Sequence, residues 1–118
     1  MVVEDSVDVC AFAQAVLEKH GYAVISCTNG AEAKRVLAAH RGRIDALLVD
    51  VVLPGANGKE VADRARDAHP GLTVIYTSGY SRDVIAQYGV QGNDVVFLPK
   101  PYSVNGLALA VRNALDHQ

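Results

Sequence analysis

The stretch that decides the fold is Ala46 to Gly58, "ALLVDVVLPGANG". Four apolar or small residues, Ala46 to Val49, run directly into the carboxylate of Asp50, and two valines, Leu53, Pro54 and Gly55 follow. An uninterrupted apolar run of this length suits a strand covered on both faces, which is the environment of a parallel sheet. A carboxylate at the tip of such a strand is costly to desolvate unless something pairs with it. Asp50 therefore needs a partner, and the rest of the chain has to supply it.

Outward from this strand the chain alternates strand-like and helix-like pieces, with no internal repeat and no linker. Met1 to Val3 is a short apolar run; Val7 to His20 carries Val9, Phe12, Val16 and Leu17 at helical spacing and stops at Gly21. Tyr22 to Cys27 reads as a strand, "TNGAEA" opens a helix that runs to about His40, and Ile44 to Val49 is the strand described above. Asn57 to His69 reads as a helix ending before Pro70-Gly71, Thr73 to Thr77 and Val95 to Leu98 as strands, and Val104 to His117 as a final helix. Between the last two strands, Gly89, Gly92 and Asn93 leave room only for a short or irregular fourth helix. Five strands separated by helices imply an α/β fold, a parallel sheet with helices on both faces.

Composition excludes several function classes. A chain of 118 residues, 50% hydrophobic, fits one ordinary domain with a single core. A formal charge of -2 and a pI near 6.0 provide no broad basic field for nucleic acid or an anionic membrane. Cys10 and Cys27 lack CxxC or zinc spacing and read as buried, reduced thiols of a cytoplasmic protein. No apolar run approaches the ~20 residues of a membrane span.

In a parallel sheet all strands point the same way, so their C-terminal ends share the edge where such folds place ligands. The residues that follow the strands are Glu4 and Asp5, then Asp50, then Ser78 and Gly79, then Lys100. Two carboxylates about 4 Å apart repel by roughly 4 kcal/mol at an effective dielectric near 20. Three acidic groups together call for a cation, and Mg²⁺ suits an oxygen-only set that also accepts a phosphoryl oxygen. Lys100 then pairs with Asp50 at rest and with an anion when one arrives.

The blocks "VVEDS", "LLVDVVLPGANG", "VIYTSGY" and "FLPKPY" together resemble the receiver domain of two-component response regulators, over essentially the whole chain. The resemblance implies a flavodoxin-like (βα)5 sandwich with strand order 2-1-3-4-5 and one receiver domain over residues 1–118. It implies Asp50 as phosphoacceptor, Asp5 as a direct Mg²⁺ ligand, Glu4 as a ligand through water, and Val52 as the donor of a backbone carbonyl. Ser78 matches the hydroxyl that bonds the phosphoryl group, Gly79 offers an accessible backbone N–H, and Lys100 neutralises charge. Phe97 matches the aromatic whose rotamer reports the switch, and Lys100-Pro101 resembles the family's cis-proline turn, although only ~5–6% of X–Pro bonds are cis.

The implied partner is a histidine kinase or a histidine phosphotransfer domain. The implied output face is the fourth helix, fifth strand and fifth helix, with a homodimer as a possible association and no direct contact with nucleic acid or membrane. Such a chain is a signalling module that catalyses only its own phosphorylation and dephosphorylation. Apolar Val52 and Tyr80 flank the path of a hydrolytic water and imply slow dephosphorylation. "SGYS", the poor fourth helix and "FLPKPY" look more like the receivers of hybrid histidine kinases than like those fused to DNA-binding domains, and Met1 begins almost inside the first strand; the expectation is an excised domain, with a free-standing regulator as the alternative.

Each residue also has a plainer reading. Asp5-Ser6 and Asp50 suit helix or turn caps, Lys100 a solvated lysine, Phe97 a core aromatic, and Pro54, Gly55 and Gly58 turn punctuation. Tyr88 and Tyr102 are surface tyrosines or part of a partner face. His20, His40, His69 and His117 fall at expected helix C-termini, spread apart, where they complement the helix dipole. Among rival functions, a flavin electron carrier would want a Ser/Thr/Gly-rich first loop where this chain has "EDS". An aspartyl-phosphate phosphatase would want an acid where Val52 stands. A pseudo-receiver that docks partners without phosphorylation is the remaining alternative.

Overall fold

The computed structural model describes residues 1–90 and 95–116. Five strands form one parallel sheet: β1 (Val2–Val3), β2 (Ser26–Cys27), β3 (Ala46–Asp50), β4 (Thr73–Ser78) and β5 (Val96–Pro99), in the order β2-β1-β3-β4-β5. This is the flavodoxin-like arrangement expected from the sequence. Five helices cover it: α1 (Val7–Lys19), α2 (Gly30–Ala39), α3 (Gly58–Ala68), α4 (Arg82–Ile85, prolonged by a 3₁₀ turn over Ala86–Tyr88) and α5 (Val104–Asp116).

Alternation along the strands divides the core. Val3, Leu47, Val49, Val74 and Tyr76 face α2 and α3, where Ala33, Leu37, Val61, Ala62 and Ala65 meet them. Val2, Leu48 and Ile75 face the other way, toward Cys10, Ala13, Val16 and Leu17 of α1 and Leu107, Val111 and Ala114 of α5. The period of two in the strands thus sends alternate residues of "ALLV" to two separate apolar layers. Cys10 and Cys27 are both free and buried, one in each layer, and burial pushes the Cys27 thiol up to about 11.

Several expected boundaries shift. The second strand, expected from Tyr22, is only Ser26–Cys27, because its sole neighbour β1 offers two residues for pairing. The third begins at Ala46 rather than Ile44 and includes Asp50, which pairs with Thr77. The fourth extends to Ser78, and the fifth is Val96–Pro99, with Pro99 tolerated because the strand lies at the sheet edge. The helix expected from Asn57 starts at Gly58, with the Asn57 side chain accepting from the Glu60 N–H at 2.9 Å as its N-cap.

The fourth helix is short, as expected, and a 3₁₀ turn ends it at Gly89; Gly92, Asn93 and His117 lie outside the described residues. One element was not expected, an antiparallel hairpin of Val52–Leu53 with Ala56–Asn57 around Pro54-Gly55. His20, His40 and His69 do close α1, α2 and α3. They are not all spread apart, however, since the rings of His40 and His69 lie side by side. Among the described residues no helix is long and apolar enough to cross a membrane.

Candidate functional site

The C-terminal edge of the sheet collects the polar residues that follow each strand. Immediately after β1, Glu4 is 2% exposed, and its Oε2 accepts from the Ser6 N–H at 2.9 Å. Ser6 in turn caps α1, its hydroxyl accepting from the Val9 N–H, while Asp5 between them is exposed. The turn into α1 therefore separates the two acids, holding one inward and one at the rim.

Asp50 ends β3 and is 6% exposed. Its Oδ1 accepts from the Val52 N–H at 3.2 Å, and the Val51 N–H donates to the Thr77 carbonyl at 3.0 Å. Gly58 closes the turn from behind, its N–H donating to the Val51 carbonyl at 2.7 Å. A Cβ at Gly58 would lie 2.2 Å from the Asp50 carbonyl oxygen, so a glycine alone fits there. In the sequence Gly58 reads as turn punctuation; its packing role arises only where α3 meets the end of β3.

Lys100 follows β5, with a cis bond to Pro101 and its N–H donating to the Ser78 carbonyl at 2.9 Å. Its Nζ donates to Asp50 Oδ2 at 2.6 Å and is also ion-paired with Glu4 Oε1. Such charge-assisted bonds are the strong class. One ammonium thus bridges two buried carboxylates that would otherwise face each other unpaired.

The electrostatics follow from this packing. Burial pushes the Glu4 carboxyl above its usual range; Lys100 and the Ser6 N–H work against the shift, and the Asp50 charge adds to it. Burial works against the Lys100 charge, yet hydrogen bonds to Asp50 and Glu4 outweigh it and hold the ammonium above the ordinary lysine value. Burial first, then the Glu4 charge, push the Tyr102 phenol up to about 12.

Carboxylate oxygens of Glu4, Asp5 and Asp50 all lie within 4.8 Å of one another. Three acids against one lysine leave an excess of negative charge, and every donor in the set is an oxygen. That chemistry fits a hard divalent cation and disfavours a thiolate- or imidazole-seeking metal. The pocket thus brings together Glu4, Asp5, Asp50 and Lys100, as the sequence led us to expect.

The other expected residues are placed less directly. Ser78 is buried at the end of β4, and its hydroxyl accepts from the Tyr80 N–H at 2.9 Å. Val52 is half-buried in the hairpin. Phe97 packs on the core layer shared with α2 and α3, and the Arg82 guanidinium sits 5.3 Å above its ring centre. Gly79 lines an apolar groove with Val9, Phe12, Lys100, Pro101 and Tyr102, in which the rings of Phe12 and Tyr102 are 6.1 Å apart. Phe12 had read only as a helix-face residue, because nothing in the sequence links it to Tyr102, 90 positions away. Thr77, opposite Asp50 in register, buries its hydroxyl with no hydrogen-bond partner and had no distinguishing sequence signal.

Comparison with known proteins agrees with this geometry. The model of the response regulator receiver domain matches residues 1–112. The sensor kinase CckA of Brucella abortus is 32% identical over 118 residues, covering 100% of this chain and 12% of the kinase. The response regulator receiver protein CpdR of the same organism is 30% identical over 115 residues, covering 98% of this chain and 94% of CpdR. Among solved structures, the receiver domain of the hybrid histidine kinase CckA superposes with a TM-score of 0.81 at 32% identity, covering 97% of this chain and 95% of that one. The chain spans about half the length, or less, of several of the curated relatives it matches. A five-stranded sheet of this order, an acidic pocket around Asp50 and these likenesses agree: the chain belongs to the response regulator receiver domain family of two-component signalling.

Proposed function

We propose that this receiver accepts a phosphoryl group on Asp50 from the phosphohistidine of a cytoplasmic histidine kinase or histidine phosphotransfer domain, or from a small phosphodonor. The observation that carries the reading is the contact between Lys100 Nζ and Asp50 Oδ2 at 2.6 Å, inside a three-carboxylate pocket at the C-terminal edge of the sheet. In the transfer an Asp50 carboxylate oxygen forms a bond to phosphorus. The bond from phosphorus to the donor imidazole nitrogen breaks, and its electron pair stays on that nitrogen. Asp5 and Asp50 directly, Glu4 through water, and the Val52 carbonyl would hold Mg²⁺, which when bound supplies positive charge to the phosphoryl oxygens. Lys100 supplies a second positive charge, and the Gly79 N–H and Ser78 hydroxyl supply hydrogen bonds.

The apolar groove of Phe12, Pro101 and Tyr102 beside Lys100 supports a protein donor, because it offers packing surface at the rim of the site. After transfer, Ser78 exchanges its bond with Tyr80 for one to the phosphoryl group, and Phe97 repacks under Arg82. The surface that responds is α4, β5 and α5, where Val84, Tyr88, Val96, Val104 and Leu109 are exposed. Exposed apolar side chains on these elements fit a protein partner or a second copy of the chain.

Intact-mass spectrometry after incubation with Mg²⁺ and acetyl phosphate tests the assignment. One added phosphoryl group is expected in the wild type, and none in Asp50→Asn or without the metal. No adduct, with a phosphorylated kinase domain as donor as well, would leave docking without phosphorylation as the function. A second expectation concerns lifetime. Val52 is half-buried and apolar and Tyr80 is exposed, so neither orients water at Asp50. The adduct should persist for minutes or longer in a time course by the same method, and decay within seconds would refute this.

A further inference from the structure

At the edge of the sheet opposite the carboxylate pocket, the C-terminal ends of α2 and α3 come together. His40 closes α2 and His69 closes α3, their backbone N–H groups donating to Val36 and Ala65 carbonyls, both at 2.8 Å. Their imidazole centroids are 6.3 Å apart with the planes at 48°. Nε2 of His69 is buried and has no hydrogen-bond partner. A buried, unpartnered ring nitrogen is a cost that a native structure offsets somewhere.

The loop between α2 and β3 is shaped around the second ring. Gly42 has no left-handed φ to explain it, but a Cβ there would come within 2.9 Å of His40 Nε2. The missing side chain keeps that edge of the imidazole open. Both rings, with Gly42, Arg43 and Asp45, line one surface depression.

We propose that His40 and His69 together bind a divalent transition metal of the zinc class, at a site separate from the oxygen-only pocket at Asp50. Neutral imidazole nitrogen suits such ions, whereas Mg²⁺ prefers oxygen. With ligand bonds of about 2.1 Å, two imidazoles on one ion hold their centroids roughly 5 to 6 Å apart. The centroids, at 6.3 Å, lie close to that range. Two helix C-termini add partial negative charge at the same place, which favours a cation. The opposing charges are modest: Arg43 is ion-paired with Asp45 at 2.5 Å, and Arg41 is exposed and screened by solvent. Among the described residues no third histidine, cysteine or carboxylate completes a tight cluster with these two, so water fills the remaining positions and the ion exchanges freely.

The test is a Zn²⁺ titration of the whole chain in saturating Mg²⁺, followed by the imidazole ¹⁵N resonances. His40 and His69 should shift together with a stoichiometry of one ion per chain. His20, whose Nδ1 lies 2.8 Å from the Val16 carbonyl oxygen, serves as the internal reference and should stay still. His40→Gln and His69→Gln should each weaken binding at least tenfold, with amide spectra showing that the variants remain folded. If either variant unfolds, the wild-type titration decides alone. Undiminished affinity in folded variants, equal movement of His20, or zinc binding without movement of the two rings would overturn the proposal.

Discussion

Gly58→Ala is expected to lower the urea midpoint of the protein sharply, by a loss of about 3 kcal/mol, the upper range for forcing extra volume into a packed site. The added Cβ would meet the Asp50 carbonyl oxygen at 2.2 Å and the Asp50 carbonyl carbon and Val51 Cα at 2.9 Å. All three are backbone atoms and cannot swing aside as a side chain would. Either α3 retreats from the sheet or the end of β3 moves, and the second outcome takes Asp50 away from Lys100. Yield of the phosphoryl adduct should therefore fall with stability. Gly71→Ala is the control: Gly71 has φ +95° with open space where a Cβ would stand, so substitution costs about 1 kcal/mol from backbone conformation alone. An unchanged midpoint for Gly58→Ala would show that the start of α3 is free to pull back.

Lys100→Met is expected to slow phosphoryl acceptance by about 100-fold, the scale for removing one charge-stabilising donor. It should also make stability strongly pH-dependent. Burial already raises the Glu4 carboxyl above its ordinary value of 4.5, with Lys100 holding the shift in check. A carboxyl raised on folding contributes stability below its unfolded value, and that contribution is lost as pH rises through the folded value. Without Lys100 the folded value rises further and the loss extends to higher pH.

The variant should accordingly fall short of the wild type by about 3 kcal/mol at pH 8, where a buried carboxylate has lost its partner, and by clearly less near pH 4. In the wild type the Lys100 contribution has the same sign but a higher pH range. Its folded value lies above the ordinary 10.5, so the contribution is present at neutral pH and is lost only as pH rises through that folded value. Urea midpoints at the two pH values measure the difference. A deficit of equal size at both would mean that Lys100 is not what holds the Glu4 charge.

Much of this molecule was legible from local pattern. The run Ala46 to Val49 announced a strand buried on both faces, and the strand ends named Glu4, Asp5, Asp50 and Lys100 before any distance was known. Parallel strands oblige their C-terminal ends to share an edge, so placing the elements already placed these four side chains together. The start of α3 to within one residue and the poor fourth helix were likewise readable, since both depend on neighbours within a few residues.

What escaped the sequence depends on atoms far apart along it. Gly58 looked like a turn residue, and only the approach of α3 to the end of β3 shows that its missing side chain leaves space for the Asp50 carbonyl. Phe12 and Tyr102 meet because α1 and the turn after β5 flank the same site. His40 and His69 each fulfilled a local role at a helix end, while their meeting required both helices to run the same way over one sheet face. By itself the sequence determined the five parallel strands, the helices between them and the chemical identity of the acidic edge, because propensity, periodicity and strand direction act over short stretches. Tertiary structure alone decided which side chains touch, which nitrogen is left unpaired and where no Cβ fits, because those outcomes are set by close packing between distant segments.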